Sequence, residues 1–252
     1  QILTYVEDNF AGRKGFVSIK TNLEKLSGKT EINSVFIGED GQLFEKFEEG
    51  PEEETKAKID AINSFSEKYK NLNISFMLTP TATKVLEDNL PKYAPNDDEL
   101  SYINTVFSGL NSNINTINPY EALSENKDEY IFYKTDHHWT SKGAYIAYTV
   151  MCEKLGLTPN SIENLDVVTV TDSFYGSLSS KIGIQGKKAD SIDIYIPKES
   201  DFIVTYVDEQ KKSTSLFDNT YLDKKDKYNV FTGRNHPLIN IKTLGDPNNK
   251  LL

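Results

Sequence analysis

The run Ile74-Ser75-Phe76-Met77-Leu78 constrains the fold more than any other stretch of the chain. It is short and apolar, follows a helical pattern and is closed at once by Thr79-Pro80-Thr81. That is how a central parallel strand meets its carboxyl-end loop. A parallel strand needs a crossover before its partner. The chain supplies one: a helical pattern over 97–110 leads to a second strand, Ile114 to Ile117, closed by Asn118-Pro119-Tyr120. A helix over 51–69 precedes the first strand. Pro51 suits its first turn, and Glu52, Glu53 and Glu54 are favoured by the positive end of its dipole. Ile59, Ile62, Phe65 and Tyr69 are its expected buried side. A further helix starts after Thr140, which can cap it, with Ala144, Ala147, Tyr148, Met151 and Leu155 on one face and Gly156 at its end. This order of helix, strand, helix, strand, loop and helix predicts a doubly wound α/β domain over 1–156. Ligands of such sheets bind at strand ends, so Thr79, Thr81 and Thr83 either lie near a site or serve as loop and capping residues.

The flanks read differently. Residues 1–28 form a helical pattern through Val6, Phe10, Phe16, Ile19 and Leu23, broken near Gly12 and Gly15. Val35-Phe36-Ile37 and Gln42-Leu43-Phe44 flank Asp40-Gly41, a hairpin signal. From 157 to 232 β-branched and aromatic runs alternate with turn clusters, which predicts a β-rich insertion. Ile239-Asn240-Ile241 is expected to return the chain, over 233–252, to the α/β core. The formal net charge of −10 argues against nucleic acid or an anionic membrane surface as partner. The single cysteine, Cys152, excludes an intrachain disulfide and falls in an apolar stretch that suits packing. No apolar run reaches the roughly 18 residues of a membrane span. The first residue is Gln1, and any signal or anchor is expected to have preceded it.

The chemistry concentrates in Tyr133-Lys134-Thr135-Asp136-His137-His138-Trp139-Thr140. Two of the three histidines and the sole tryptophan stand there beside a carboxylate. A carboxylate two residues from an imidazole can fix its tautomer and direction and stabilise the imidazolium, as a general base requires. The same residues also suit a packed loop. A metal site from Asp136, His137, His138 and His236 is a further reading, opposed by adjacent histidines pointing apart and by the lack of a His-x₃-His spacing. His137 is structural or lines the pocket. Trp139 is either a sugar-stacking platform or a packing residue under the loop. In Gly233-Arg234-Asn235-His236, Arg234 and Asn235 are donors for an acyl carbonyl or a sugar, or simply a turn. Thr171-Asp172-Ser173-Phe174 looks like a nucleophile turn but lacks the glycine that permits a tight bend, so it reads as a surface turn. Gly176-Ser177-Leu178-Ser179-Ser180 reads as an active-site wall and not as a serine nucleophile.

The octet resembles the motif that names the DHHW proteins, relatives of the SGNH hydrolases and of the O-acetyltransferases that act on alginate. Asp8-Asn9-Phe10-Ala11-Gly12-Arg13, Gly38 to Phe44, Phe174 to Leu178 and Gly233 to Leu238 resemble other blocks of that family, in its order, over most of the chain. The resemblance implies an SGNH-like three-layer α/β sandwich. It also implies an extracytoplasmic serine O-acyltransferase or esterase acting on acetyl groups of a cell-surface polysaccharide. His138 would be the general base, oriented by Asp136; substrate contacts would come from His137, Trp139, Tyr175, Ser177, Arg234 and Asn235. No cofactor or metal is implied, and the partners are a polysaccharide and an acyl donor. In the family the nucleophilic serine follows a late strand, so it is expected beyond residue 252, with the C-terminal part of the domain missing. A surface glycan-binding protein without turnover is the rival reading.

Overall fold

A computed structural model describes residues 13–184, 188–198 and 201–243. The chain divides into two compact units, one of 1–159 and 175–189, the other of 160–174 and 190–252. The fold is mixed α/β. Each unit has its own architecture.

In the first unit, helix α1 (Arg13–Leu26) precedes a meander of β1 (Glu31–Ile32), β2 (Val35–Ile37) and β3 (Leu43–Glu45). The hairpin forms where Asp40-Gly41 predicts it: both residues take positive φ, 52° and 80°, and Phe36 faces Phe44 across the ladder. Helix α2 (Glu52–Lys68) leads into β4 (Ile74–Met77). Short α3 (Ala82–Val85) and longer α4 (Glu99–Gly109) then cross over to β5 (Ile114–Ile117). Strands β4 and β5 pair parallel, Ile74 against Ile114 and Met77 against Ile117. Helix α5 (Tyr120–Glu125) and the Asp-His-His-Trp segment follow, then α6 (Ser141–Lys154). The unit closes with α7 (Ser177–Ile182). Phe36, Phe44, Leu123, Ile131 and Phe132 make one core cluster; Ile32, Val35, Leu43, Leu178 and Ile182 make another, which seats α7.

Several expectations are corrected. The buried side of α2 carries Thr55 and Ser66, with Ile59 and Ile62 partly covered between them, while Phe65 and Tyr69 are exposed and pack on each other. The seam turns because Asn63 and Ser66 hydrogen-bond the chain at Gly109 and Asn111, drawing the polar residues inward. On α1, Phe16, Ile19 and Leu23 face solvent, and its buried contact is Thr21, which donates to Ile182 O. Val6, Phe10 and the segment 8–12 lie outside the described residues. Thr81 and Thr83 are structural: Thr81 donates backbone N–H and hydroxyl to the two oxygens of buried Glu99, and Thr83 donates to Glu45 O.

The second unit pairs β6 (Leu165–Phe174) with β7 (Asp190–Pro197), antiparallel and interrupted near Thr171. Strands β8 (Phe202–Tyr206), β9 (Lys211–Ser213) and β10 (Ile239–Thr243) form an antiparallel sheet in the order β10-β8-β9. Ile239-Asn240-Ile241 therefore does not rejoin the parallel pair; it forms β10 and pairs with β8, Ile239 opposite Tyr206. Asn240, Ile241, Lys242 and Thr243 are exposed, which suits an antiparallel edge strand and not a strand buried on both faces. Thr171 to Phe174 is strand, not turn, and Ser173 Oγ accepts from Lys227.

Candidate active site

The Asp-His-His-Trp octet is a tight hairpin, not an open loop. Tyr133 N–H donates to His138 O, Phe132 bridges Trp139, and Thr140 N–H returns to Ile131 O. The outer strand of the meander grips one arm: Leu43 N–H donates to Lys134 O and the Gln42 amide to Tyr133 O. Thr140 ties the other arm to α6. Its hydroxyl accepts from Gly143 N–H as a helix cap and donates to Tyr130 O. Gly156, at φ 67°, ends the helix, and Leu157 N–H reaches back to Cys152 O. Cys152 is fully buried packing.

This frame fixes the carboxylate. Asp136 is 4% exposed. Its Oδ1 accepts from His138 Nδ1 at 2.6 Å and from His138 N–H at 3.0 Å, and its Oδ2 accepts from Ser177 N–H at 2.7 Å. Burial opposes ionisation. The bonds from the His138 ring, from Ser177 N–H and from His138 N–H, with the charge of His138, outweigh it and hold the carboxyl well below its ordinary range. A carboxylate there can only accept, so the proton of the 2.6 Å bond sits on His138 Nδ1 and the second nitrogen, Nε2, is the basic one. The His138 side chain is 36% exposed, which leaves it reachable from solvent.

The block 175–177 is the other wall. Gly176 N–H donates to the Thr135 hydroxyl and Ser179 N–H to Thr135 O, pressing this chain onto the hairpin. A Cβ at Gly176 would overlap the Asp136 side chain, so only glycine lets the backbone come close enough for Ser177 N–H to reach Oδ2. The sequence places Gly176 in an expected active-site wall and Thr135 in the octet without giving either a role; the reason for the glycine shows only once Asp136 stands over it.

The structure brings Asp136, His137, His138, Tyr175 and Ser177 into this unit together. His137 Nδ1 lies 2.7 Å from Ser177 Oγ and 3.7 Å from Asp136 Oδ1. The two imidazoles do not point apart as expected: their centroids lie 3.9 Å apart with planes tilted by 35°, and both Nδ1 atoms lie within 4 Å of Asp136 Oδ1. Trp139 is half-buried and packs against the core cluster containing Phe36, Leu123 and Phe132. Tyr175 is half-buried beside Gly176. Arg234 and Asn235 are exposed residues of the second unit. Ligand atoms of Asp136, His137 and His138 lie within 4.8 Å of one another. His236, the fourth residue of the metal reading, uses both ring nitrogens within the second unit, on Glu209 and on Thr232 O.

A buried carboxylate bonded to an imidazole, on a hairpin before a helix, is an arrangement that can hold that ring in one tautomer and orientation. The family profile of the DHHW proteins matches residues 31–248, and the chain belongs to that family. A DHHW family protein from Eubacterium siraeum shares its fold at a TM-score of 0.71 and 23% identity, covering 86% of this chain and 73% of that one. PatB1 from Bacillus cereus does so at 0.64 and 18%, over 82% of this chain and 75% of its own. The O-acetyltransferase domain of AlgJ from Pseudomonas putida matches at 0.51 and 17%, over 66% of each chain. No curated protein matches the chain. No helix among the described residues is long and apolar enough to cross a membrane.

Proposed function

We propose that this chain carries the acid–base pair of an SGNH-type serine O-acyltransferase or esterase acting on acetyl groups of an extracytoplasmic polysaccharide. The observation that carries the reading is the 2.6 Å bond from His138 Nδ1 to a buried, ionised Asp136. His138 Nε2 takes the proton of a serine hydroxyl as that oxygen attacks the acetyl carbonyl. Asp136 holds the ring and stabilises the imidazolium that forms, and the proton then passes to the leaving oxygen. The serine is drawn from chain beyond residue 252, and the parallel pair β4–β5 is taken as part of the family's three-layer sandwich. Similarity in fold to an O-acetyltransferase domain supports the acyl group; it leaves transfer and hydrolysis as alternatives.

Ser177 meets His137, not the histidine that Asp136 aims, so we assign Ser177 to the pocket wall and the nucleophile elsewhere. The clustered ligand atoms of Asp136, His137 and His138 favour metal-assisted hydrolysis as the second reading. Against it, both Asp136 oxygens already accept N–H groups that a cation would displace.

The test is turnover of p-nitrophenyl acetate and of an acetylated polysaccharide by a polypeptide carrying the chain beyond residue 252. Asp136→Asn and His138→Ala are expected to lower the rate by about 10³–10⁴, the scale of a lost base or its wrong tautomer. Equal rates for wild type and both variants would leave the pair without a catalytic role.

A further inference from the structure

We propose that Thr135 is a positioning residue for the acid–base pair: its hydroxyl, by holding Gly176 N–H, sets the bond from Ser177 N–H to Asp136 and, through that carboxylate, the aim of His138. This rests on the reading of Asp136 and His138 as the proton-transfer pair.

The terminal torsion of an aspartate is broad and roughly two-fold, so contacts on one oxygen alone leave the carboxylate plane loosely set. Both contacts from His138, its ring Nδ1 at 2.6 Å and its N–H at 3.0 Å, fall on Oδ1. Among the described residues, Oδ2 takes its hydrogen bond from Ser177 N–H, at 2.7 Å. That bond stops the carboxylate from turning, and with it the imidazole that follows Oδ1.

Ser177 N–H is available because it opens a helix. The first N–H groups of a helix have no partner inside it. At the start of α7 two adjacent residues of the hairpin supply partners from outside. Thr135 takes Gly176 N–H on its hydroxyl at 3.0 Å and Ser179 N–H on its carbonyl at 3.1 Å, and Asp136 takes the Ser177 N–H that lies between these two in sequence. The backbone comes so near that a side chain at Gly176 would overlap Asp136. Apolar contacts of Leu178 and Ile182 with Ile32, Val35 and Leu43 seat α7, but such contacts have no direction. The Thr135 hydroxyl supplies the directional bond one residue before Ser177. Thr135 is 0% exposed, so bulk solvent does not stand in for a lost hydroxyl.

The test compares wild type with Thr135→Val, which keeps the shape and removes the hydroxyl, and with Thr135→Ser, which keeps the hydroxyl, in the ¹⁵N-labelled 252-residue chain. Wild type and Thr135→Ser should show a Ser177 amide protected from hydrogen exchange and a His138 proton on Nδ1. Thr135→Val should speed exchange at Ser177 by roughly tenfold or more, the scale of one hydrogen bond, and populate the second tautomer of His138. In the polypeptide that continues beyond residue 252, kcat of Thr135→Val should fall by roughly tenfold with KM within about twofold, and Thr135→Ser should restore it. A merely structural role would lower the melting temperature and leave the amide, the tautomer and kcat as in wild type. That result overturns the proposal, as does Thr135→Ser behaving like Thr135→Val. If Thr135→Val does not fold, Thr135→Ala is read in the same way, and a Ser177 amide that exchanges freely in wild type overturns the proposal with no variant at all. The amide and tautomer readouts need no turnover, so a failure of the catalytic reading, an unaltered rate in Asp136→Asn, is told apart from a failure of this one.

Discussion

Replacing Asp136 by asparagine keeps the shape of the side chain and removes one acceptor. The carboxylate serves His138 Nδ1 and N–H through Oδ1 and Ser177 N–H through Oδ2. An amide has one oxygen. With it toward His138, the amide NH₂ meets Ser177 N–H, donor against donor. With it toward Ser177, His138 must surrender its Nδ1 proton and become the wrong tautomer. Either way at least one buried bond to a charged acceptor is lost, worth about 1.5–3 kcal/mol. For a chain of this size each kcal/mol moves the midpoint by roughly 2–4 °C, so the expected drop is about 3–12 °C. Trp139 is the sole tryptophan and packs beside the hairpin, so its fluorescence during heating reports the unit that carries the change. The pH dependence follows from the depressed folded value: relative to the ordinary 3.8, the stabilisation is complete above the unfolded pKa and is lost as pH falls through the folded one. The gap between wild type and Asp136→Asn should thus be present at neutral pH and close in strong acid, as the carboxylate is protonated. A variant that melts within a degree of wild type at pH 7, or a gap that persists undiminished in strong acid, would refute the hydrogen-bond account.

Gly176→Ala should destabilise by roughly 1–3 kcal/mol through overlap with Asp136, and circular-dichroism melts check it. Ser177→Ala removes the contact with His137 but keeps the N–H that Asp136 accepts, so acetyl-ester turnover should stay within about tenfold of wild type. A chelator should leave that turnover unchanged; its loss, restored by added zinc, would favour the metal reading.

Much of the first unit was legible because local chemistry and tertiary packing agree. Asp40-Gly41 supplies positive φ where the hairpin needs it, Thr140 and Gly156 bracket a helix, and two short apolar runs separated by a helix pair parallel. The octet drew attention to Asp136 and His138 because it holds two of the chain's three histidines beside a carboxylate. What stayed hidden was settled by long-range contacts. The buried seam of α2 is chosen by bonds from Asn63 and Ser66 to a distant turn, against the apolar pattern that favours Phe65. The pairing of 239–243 with β8 is a register between segments 30 or more residues apart, which periodicity does not encode. The close approach of the two rings, with centroids 3.9 Å apart and planes tilted by 35°, is an outcome that residue spacing alone leaves open.

The orientation of His138 is tested most directly by ¹⁵N NMR of its imidazole followed over a pH series, because the neutral form shows which nitrogen bears the proton. The account predicts a proton on Nδ1, strongly deshielded by the short bond to Asp136, and a bare Nε2. A ring protonated on Nε2, or one averaging between tautomers as a free side chain does, would contradict it.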